Sequence, residues 1–160
     1  MDIEKNDKET CKNILHKIQN KNPVDSRGDT ALHKAARYGR TEIFRMIMAE
    51  VENKNPKNNN GYTPLHEAAN YGHPKIVKMI LDGVEDKNQK NNSGYTPLHE
   101  AALKGHAEIV KMILDVVEDK NPKNNSGRTP LHEAASYGHA EIAKMILDVV
   151  EGALRSPKEP

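Results

Sequence analysis

Eight histidines and one cysteine are the side chains of this 160-residue chain best suited to metal or nucleophilic chemistry. Seven of the histidines fall in two registers: His33, His66, His99 and His132 form one stripe, and His73, His106 and His139 another. Ligands of a single zinc ion converge to about 2.0–2.1 Å from the metal. Equivalent residues on successive packed helices stand about 8–10 Å apart, so neither stripe closes around one ion. His16 has no partner that sequence identifies, and Cys11 aligns with Val110 in a later register, the place of a small buried hydrophobe rather than a nucleophile. No nucleophile elbow, phosphate-binding glycine loop, Cys pair or His-Glu-x-x-His motif occurs. The residue types predict no enzyme activity, no metal and no cofactor.

The charges fall in ladders. Glu67, Glu100 and Glu133 share one register, with Lys34 in the same place at the N-terminal end. Such a ladder suits a basic partner, or equally a solvated surface, because neighbours at helix-packing distance are about one Debye length apart and repel weakly. Lys54, Lys87 and Lys120, with Lys57, Lys90 and Lys123 beside them, are offset by Glu52, Glu85 and Glu118 and read as solvated loop. Overall, 24 Lys and Arg face 23 Asp and Glu, and a net charge of +1 gives no general attraction to nucleic acid or an anionic membrane.

These registers come from a repeat. Gly28, Gly61, Gly94 and Gly127 are each 33 residues apart and open the same phrase, from Gly28-Asp-Thr-Ala-Leu-His to Gly127-Arg-Thr-Pro-Leu-His. A unit this short cannot bury its apolar face without a stacked neighbour. In the second copy, Thr63 suits a helix N-cap and Pro64 the first helical position. Ala68 and Ala69 favour helix and close approach, and Gly72 supplies a left-handed stop, so the first helix is about two turns long. Ile76, Val77, Ile80, Leu81 and Val84, widened by Met79, predict a second, amphipathic helix. Glu85 to Gly94 is polar and turn-rich and reads as an extended hairpin leading to the next copy. Aromatics at 4%, no Trp and a mean hydropathy of −0.83 predict a thin, elongated core. A lone cysteine, a charged start and no apolar run near the roughly 20 residues of a membrane span predict a soluble protein of the cytosol or nucleus.

Thr63-Pro-Leu-His-Glu-Ala-Ala followed by Tyr71-Gly-His resembles the ankyrin repeat, and the phrase recurs at Thr30, Thr96 and Thr129. The resemblance covers roughly residues 12 to 150. It implies an all-α repeat solenoid of stacked helix-turn-helix units joined by β-hairpin-like loops, with a concave side. It also implies that the Thr-Pro-Leu-His histidine is a structural hydrogen-bonding residue. The corresponding division is an N-terminal capping half-repeat at 1–27, repeats at 28–60, 61–93, 94–126 and 127–151, the last without a following hairpin, and a flexible tail at 152–160. Ile14, Leu15 and Ile18 of the cap match Ile113, Leu114 and Val117, while Asn13 stands where Met112 does.

The chain departs from the family pattern after each second helix. Val51, Val84 and Val117 stand where glycine is expected, and Lys54, Lys87 and Lys120 replace a usually buried valine. Pro56 and Pro122 push the preceding asparagines toward extended backbone, which predicts an altered turn rather than a lost one. Asn88 and Asn121 occupy the place where asparagines of the family are hydroxylated. At the C-terminal end, residues 140–150 are as apolar as an interior repeat. Three outcomes fit: the tail folds back through Leu154, the face meets a partner by self-association, or the chain belongs to a longer array.

Copies 94–117 and 127–150 differ at Tyr95/Arg128, Leu103/Ser136, Lys104/Tyr137 and Val110/Ala143. By resemblance the first three lie where partners are contacted. All five tyrosines fall there too: Tyr62 and Tyr95 follow the repeat glycine, and Tyr38, Tyr71 and Tyr137 precede the glycine that ends the first helix. Tyr is enriched in binding hot spots. The expected partner-binding face is Arg27, Asp29, Arg37, Tyr38, Tyr62, Asn70, Tyr71, Tyr95, Leu103, Lys104, Arg128 and Tyr137. The functional expectation is a non-catalytic protein-protein interaction module that binds a protein or peptide, a basic one being an option, and neither nucleic acid nor membrane. The alternatives are a regulatory inhibitor of an enzyme or transcription factor, and a structural spacer or consensus-like artificial array.

Overall fold

The computed structural model describes residues 8–10, 12–13 and 22–155. Of the expected N-terminal cap, residues 8–10 and 12–13 are helical; Cys11, Ile14, Leu15, His16 and Ile18 lie outside the described residues. Helices then come in pairs: α1 (Ala31–Arg37) with α2 (Thr41–Glu50), α3 (Pro64–Tyr71) with α4 (Pro74–Gly83), α5 (Pro97–Lys104) with α6 (Ala107–Leu114), and α7 (Pro130–Ser136) with α8 (Ala140–Arg155). The short helices α1, α3, α5 and α7 stack in one row, and α2, α4, α6 and α8 in a second.

Each short helix begins at a threonine in extended backbone, as the sequence predicts. Thr63 Oγ1 accepts the His66 N–H at 3.3 Å, and His66 Nδ1 accepts the Thr63 N–H at 3.1 Å. The histidine thus takes the reciprocal place that Glu or Gln holds in a common capping box. Thr30, Thr96 and Thr129 repeat the arrangement with His33, His99 and His132. At the other end, Gly72 adopts φ 79°, and a Cβ there would lie 2.6 Å from the His106 ring. Both the left-handed backbone and the close approach require glycine.

The second helices end with a lysine ammonium on carbonyls at or just beyond their C-termini. Val51 and Val84 are extended, at φ −104° and −126°. Lys54 Nζ donates to the Met48 and Val51 carbonyls at 2.7 and 3.1 Å, Lys87 Nζ to the Val84 carbonyl at 2.7 Å, and Lys120 Nζ to the Leu114 and Val117 carbonyls. An ammonium among the last carbonyls satisfies orphan acceptors and complements the negative helix end. These half-buried lysines are therefore helix caps, not the solvated loop residues that their charge suggests.

Among the described residues the connecting loops form no strand. Each tip is a tight turn, with Gly61 N donating to Asn58 O at 2.9 Å and Asn58 N to Tyr62 O at 2.8 Å, and the same bonds recur at Asn91 and Asn124. Adjacent tips are tied by Asn59 N to Arg27 O, Asn92 N to Asn60 O and Asn125 N to Ser93 O, at 3.0–3.1 Å. A turn is present at each of these places.

The core is one thin, continuous apolar layer between the two rows. Leu32, Leu65 and Leu98, the alanines Ala36, Ala69 and Ala102, and the pairs Ile76/Ile80, Ile109/Ile113 and Ile142/Ile146 recur along it, with Phe44 at its N-terminal end. The layer opens at α8. Leu147 is 41% exposed, against 3% for the equivalent Leu114. The helix runs on to Arg155, so residues 152–155, expected in the tail, extend α8 and carry Leu154 into solvent at 82% exposure. The helix runs through Gly152, and Leu154 does not fold back.

Candidate functional site

The two histidine stripes bind the stack together. Nε2 of His33, His66 and His99 donates to the carbonyls of Tyr62, Tyr95 and Arg128 in the next repeat, at 2.8–2.9 Å. A carbonyl can only accept, so Nε2 carries the proton and Nδ1 is left to accept from threonine. Burial disfavours the charged ring: it lowers the pKa of His33 and His99 and brings that of His66 down to about 4. The second stripe reaches the opposite way, His73, His106 and His139 bonding through Nε2 to the Arg37, Asn70 and Leu103 carbonyls at 2.9–3.0 Å. Local spacing signals the first role. The second, a bond across 36 residues, has no local signature.

The C-terminal ends of α1 and α3 and the intervening turn enclose an open groove of about 420 Å³. Seven of the twelve predicted residues line it, namely Arg27, Asp29, Arg37, Tyr38, Tyr62, Asn70 and Tyr71, joined by Asn58, Asn60 and Glu67. Tyr95, Leu103, Lys104, Arg128 and Tyr137 lie outside this groove, in the equivalent places of α5 and α7 and the turns before them. Asp29 is 2% exposed: Arg37 Nη2 donates to its Oδ2 at 2.9 Å and Asn58 Nδ2 to its Oδ1 at 2.8 Å. Burial alone would raise its pKa, but these two bonds hold it below the usual carboxylate value. It braces Arg37 rather than facing solvent.

The tyrosines divide into two kinds. Tyr62 and Tyr95 are half-buried and lie against His66 and His99, with ring centroids 5.5 and 5.3 Å apart. Burial, with the charge of Glu100 behind it, pushes the Tyr62 hydroxyl up to about 12. Tyr38, Tyr71 and Tyr137 are 62, 54 and 59% exposed. They are the ones free to meet a partner.

Glu67, Glu100 and Glu133 correct the expectation of a solvated ladder, for they are 7, 4 and 2% exposed, and Glu67 lines the groove. Arg37 grips Glu67 with Nη2 at 2.8 Å and Nε at 3.1 Å. Arg128 Nε reaches Glu133 at 2.8 Å, and Asn70 Nδ2 reaches Glu100 at 2.6 Å. Their burial depends on donors in other registers, up to 30 residues away, so the ladder alone could not reveal it. The signal was in the columns: position 37 is Arg, its copy at 70 Asn, and the copy of Tyr95 at 128 Arg.

The family described as ankyrin repeats (3 copies) matches residues 2–91 and again 83–153. The chain is a member of the ankyrin-repeat family. Ankyrin repeats are generally protein-protein interaction modules and generally non-catalytic. No curated protein matches the chain. No described helix of this ankyrin-repeat protein is long and apolar enough to cross a membrane.

Proposed function

We propose that the chain binds a protein or peptide through its concave face and turns, and has no catalytic role. The observation that carries this reading is the row of Tyr38, Tyr71 and Tyr137, large apolar rings held more than half exposed at equivalent places of three repeats. A solvated face needs no such rings, whereas Tyr supplies contact area at low entropy cost. The test is capture of the partner from lysate, followed by calorimetry with the chain carrying Tyr38→Ser, Tyr71→Ser and Tyr137→Ser. The expected loss of affinity is about a hundredfold, of the order of hot-spot truncation, with helicity and melting temperature nearly unchanged. Equal affinity, or a large loss of stability, overturns the reading.

A second surface has its own observation. At the end of the stack Leu147 and Leu154 are exposed, and among the described residues His132 Nε2 meets no carbonyl, unlike its three counterparts. This edge supports self-association or continued stacking. Light scattering is expected to show concentration-dependent association that Leu147→Lys abolishes; a strict monomer without apolar-dye binding rules it out.

A further inference from the structure

The buried acids Glu67, Glu100 and Glu133 are not equally compensated. Glu67 holds the Arg37 guanidinium by two bonds, at 2.8 and 3.1 Å. Glu133 holds Arg128 at 2.8 Å. Between them Glu100, 4% exposed, accepts a bond from the Asn70 amide at 2.6 Å and has the Tyr62 hydroxyl beside it, and among the described residues it pairs with no lysine or arginine. Both places from which arginine serves a neighbouring acid are neutral around Glu100: Asn70 stands in the register of Arg37, and Tyr95 in that of Arg128.

A carboxylate removed from water and held by neutral donors is under-compensated, and burial accordingly raises the pKa of Glu100, against the Asn70 bond and the more distant charge of Lys104. Asn70 and Tyr62, the two side chains that cover Glu100, also line the groove, together with the exposed rings of Tyr38 and Tyr71. Of the three buried carboxylates in this stretch, Asp29 and Glu67 share the guanidinium of Arg37, and Glu100 has no guanidinium of its own among the described residues. Within the groove lining Arg27 and Arg37 balance Asp29 and Glu67, so the uncompensated charge is that of Glu100, directly behind the lining residues Asn70 and Tyr62.

We propose that the groove receives an arginine or lysine side chain of a partner segment, whose cation pairs with Glu100 in the place that Arg37 occupies on Glu67. The stem lies along the Tyr71 wall, since a long cationic side chain packs its methylenes on apolar surface while its head seeks charge, and the planar face of a guanidinium also stacks on tyrosine. Asn70 moves aside to admit it. The inference rests on the concave face being the binding face, and it adds the chemistry that this face reads.

The probe is a set of peptides selected from a random-peptide phage library on the full chain, retaining those that lose binding to the Tyr38, Tyr71 and Tyr137 to Ser variant. These peptides are expected to carry an arginine or lysine whose replacement by citrulline or norleucine weakens binding by about tenfold or more. Glu100→Gln is expected to cost about as much, and the two losses not to add. Asn70→Arg supplies the guanidinium in cis, as Arg37 does, and is expected to raise the melting temperature while abolishing binding. Peptides that need the tyrosines but bind Glu100→Gln with unchanged affinity, or tolerate citrulline, overturn the cation slot and leave the concave face standing. If no selected peptide depends on the tyrosines, both ideas fail. The citrulline comparison does not rely on any variant folding.

Discussion

His66→Ala is expected to lower the free energy of unfolding by about 4 kcal/mol, whereas His132→Ala changes it by less than about 1 kcal/mol. The two residues are copies of each other in an identical Thr-Pro-Leu-His phrase. His66 is wholly buried and closes three contacts: Thr63 N–H at 3.1 Å, the Thr63 hydroxyl at 2.9 Å, and the Tyr95 carbonyl of the next repeat at 2.8 Å. Truncation leaves a cavity, a Tyr95 carbonyl and a Thr63 N–H without their partner, and half of the capping box, the Thr63 hydroxyl still accepting the backbone N–H of position 66. Those are separate penalties that fall on one interface. His132 keeps only its own cap, is exposed and meets no carbonyl through Nε2 among the described residues. Because each repeat of a solenoid contacts only its neighbours, damage at His66 also weakens coupling between the two halves. Urea unfolding followed by circular dichroism is expected to show a lower midpoint and a broadened transition for His66→Ala alone. Equal effects of the two substitutions would refute the pinning role.

The second large effect is loss of stability in mild acid. The pKa of His66 falls from 6.5 to about 4 on folding, first because burial penalises the charged ring. The unfolded chain therefore binds the proton more readily, and stability is full above pH 6.5 and is lost progressively as pH falls toward 4. His66 alone accounts for about 3 kcal/mol of that loss. His33 and His99, also lowered by burial, act in the same direction. Glu100 acts oppositely, since its raised pKa lets the folded state take up a proton as the solution acidifies. Asp25 and Asp29, lowered from 3.8, contribute only below the window. Melting temperature measured between pH 7.5 and pH 4.5 is expected to fall steeply, and the slope to flatten in His66→Gln, which keeps a polar side chain without a titrating ring. A flat profile in the wild-type chain would contradict the burial of His66 as a neutral ring.

What was legible in the sequence is what the chain decides locally. Thr63, Pro64, His66 and Gly72 lie within ten positions, and they set where a helix begins, how it is capped and where it stops. The solenoid follows once those signals recur at 33-residue intervals. The candidate face was partly legible for the same reason: Tyr38 and Tyr71 share the groove because they share a register. The remainder depends on partners that local spacing does not reveal. Glu67 reads as a solvated acid until Arg37, 30 residues earlier, is seen to fold over it. Lys54 reads as a loop charge until its ammonium is found on the carbonyls that end α2. Asp29, expected to meet a partner, is occupied by Arg37 and Asn58.

Hydrogen exchange on the chain with and without its captured partner tests the central claim most directly, because it locates the contact without altering any side chain. Binding through the concave face predicts added protection at residues 58–62 and at the C-terminal ends of α1 and α3, around Tyr38 and Tyr71, with the solvent side of α2, α4 and α6 unchanged. Protection confined to that outer row, or to α8 around Leu147, would contradict it.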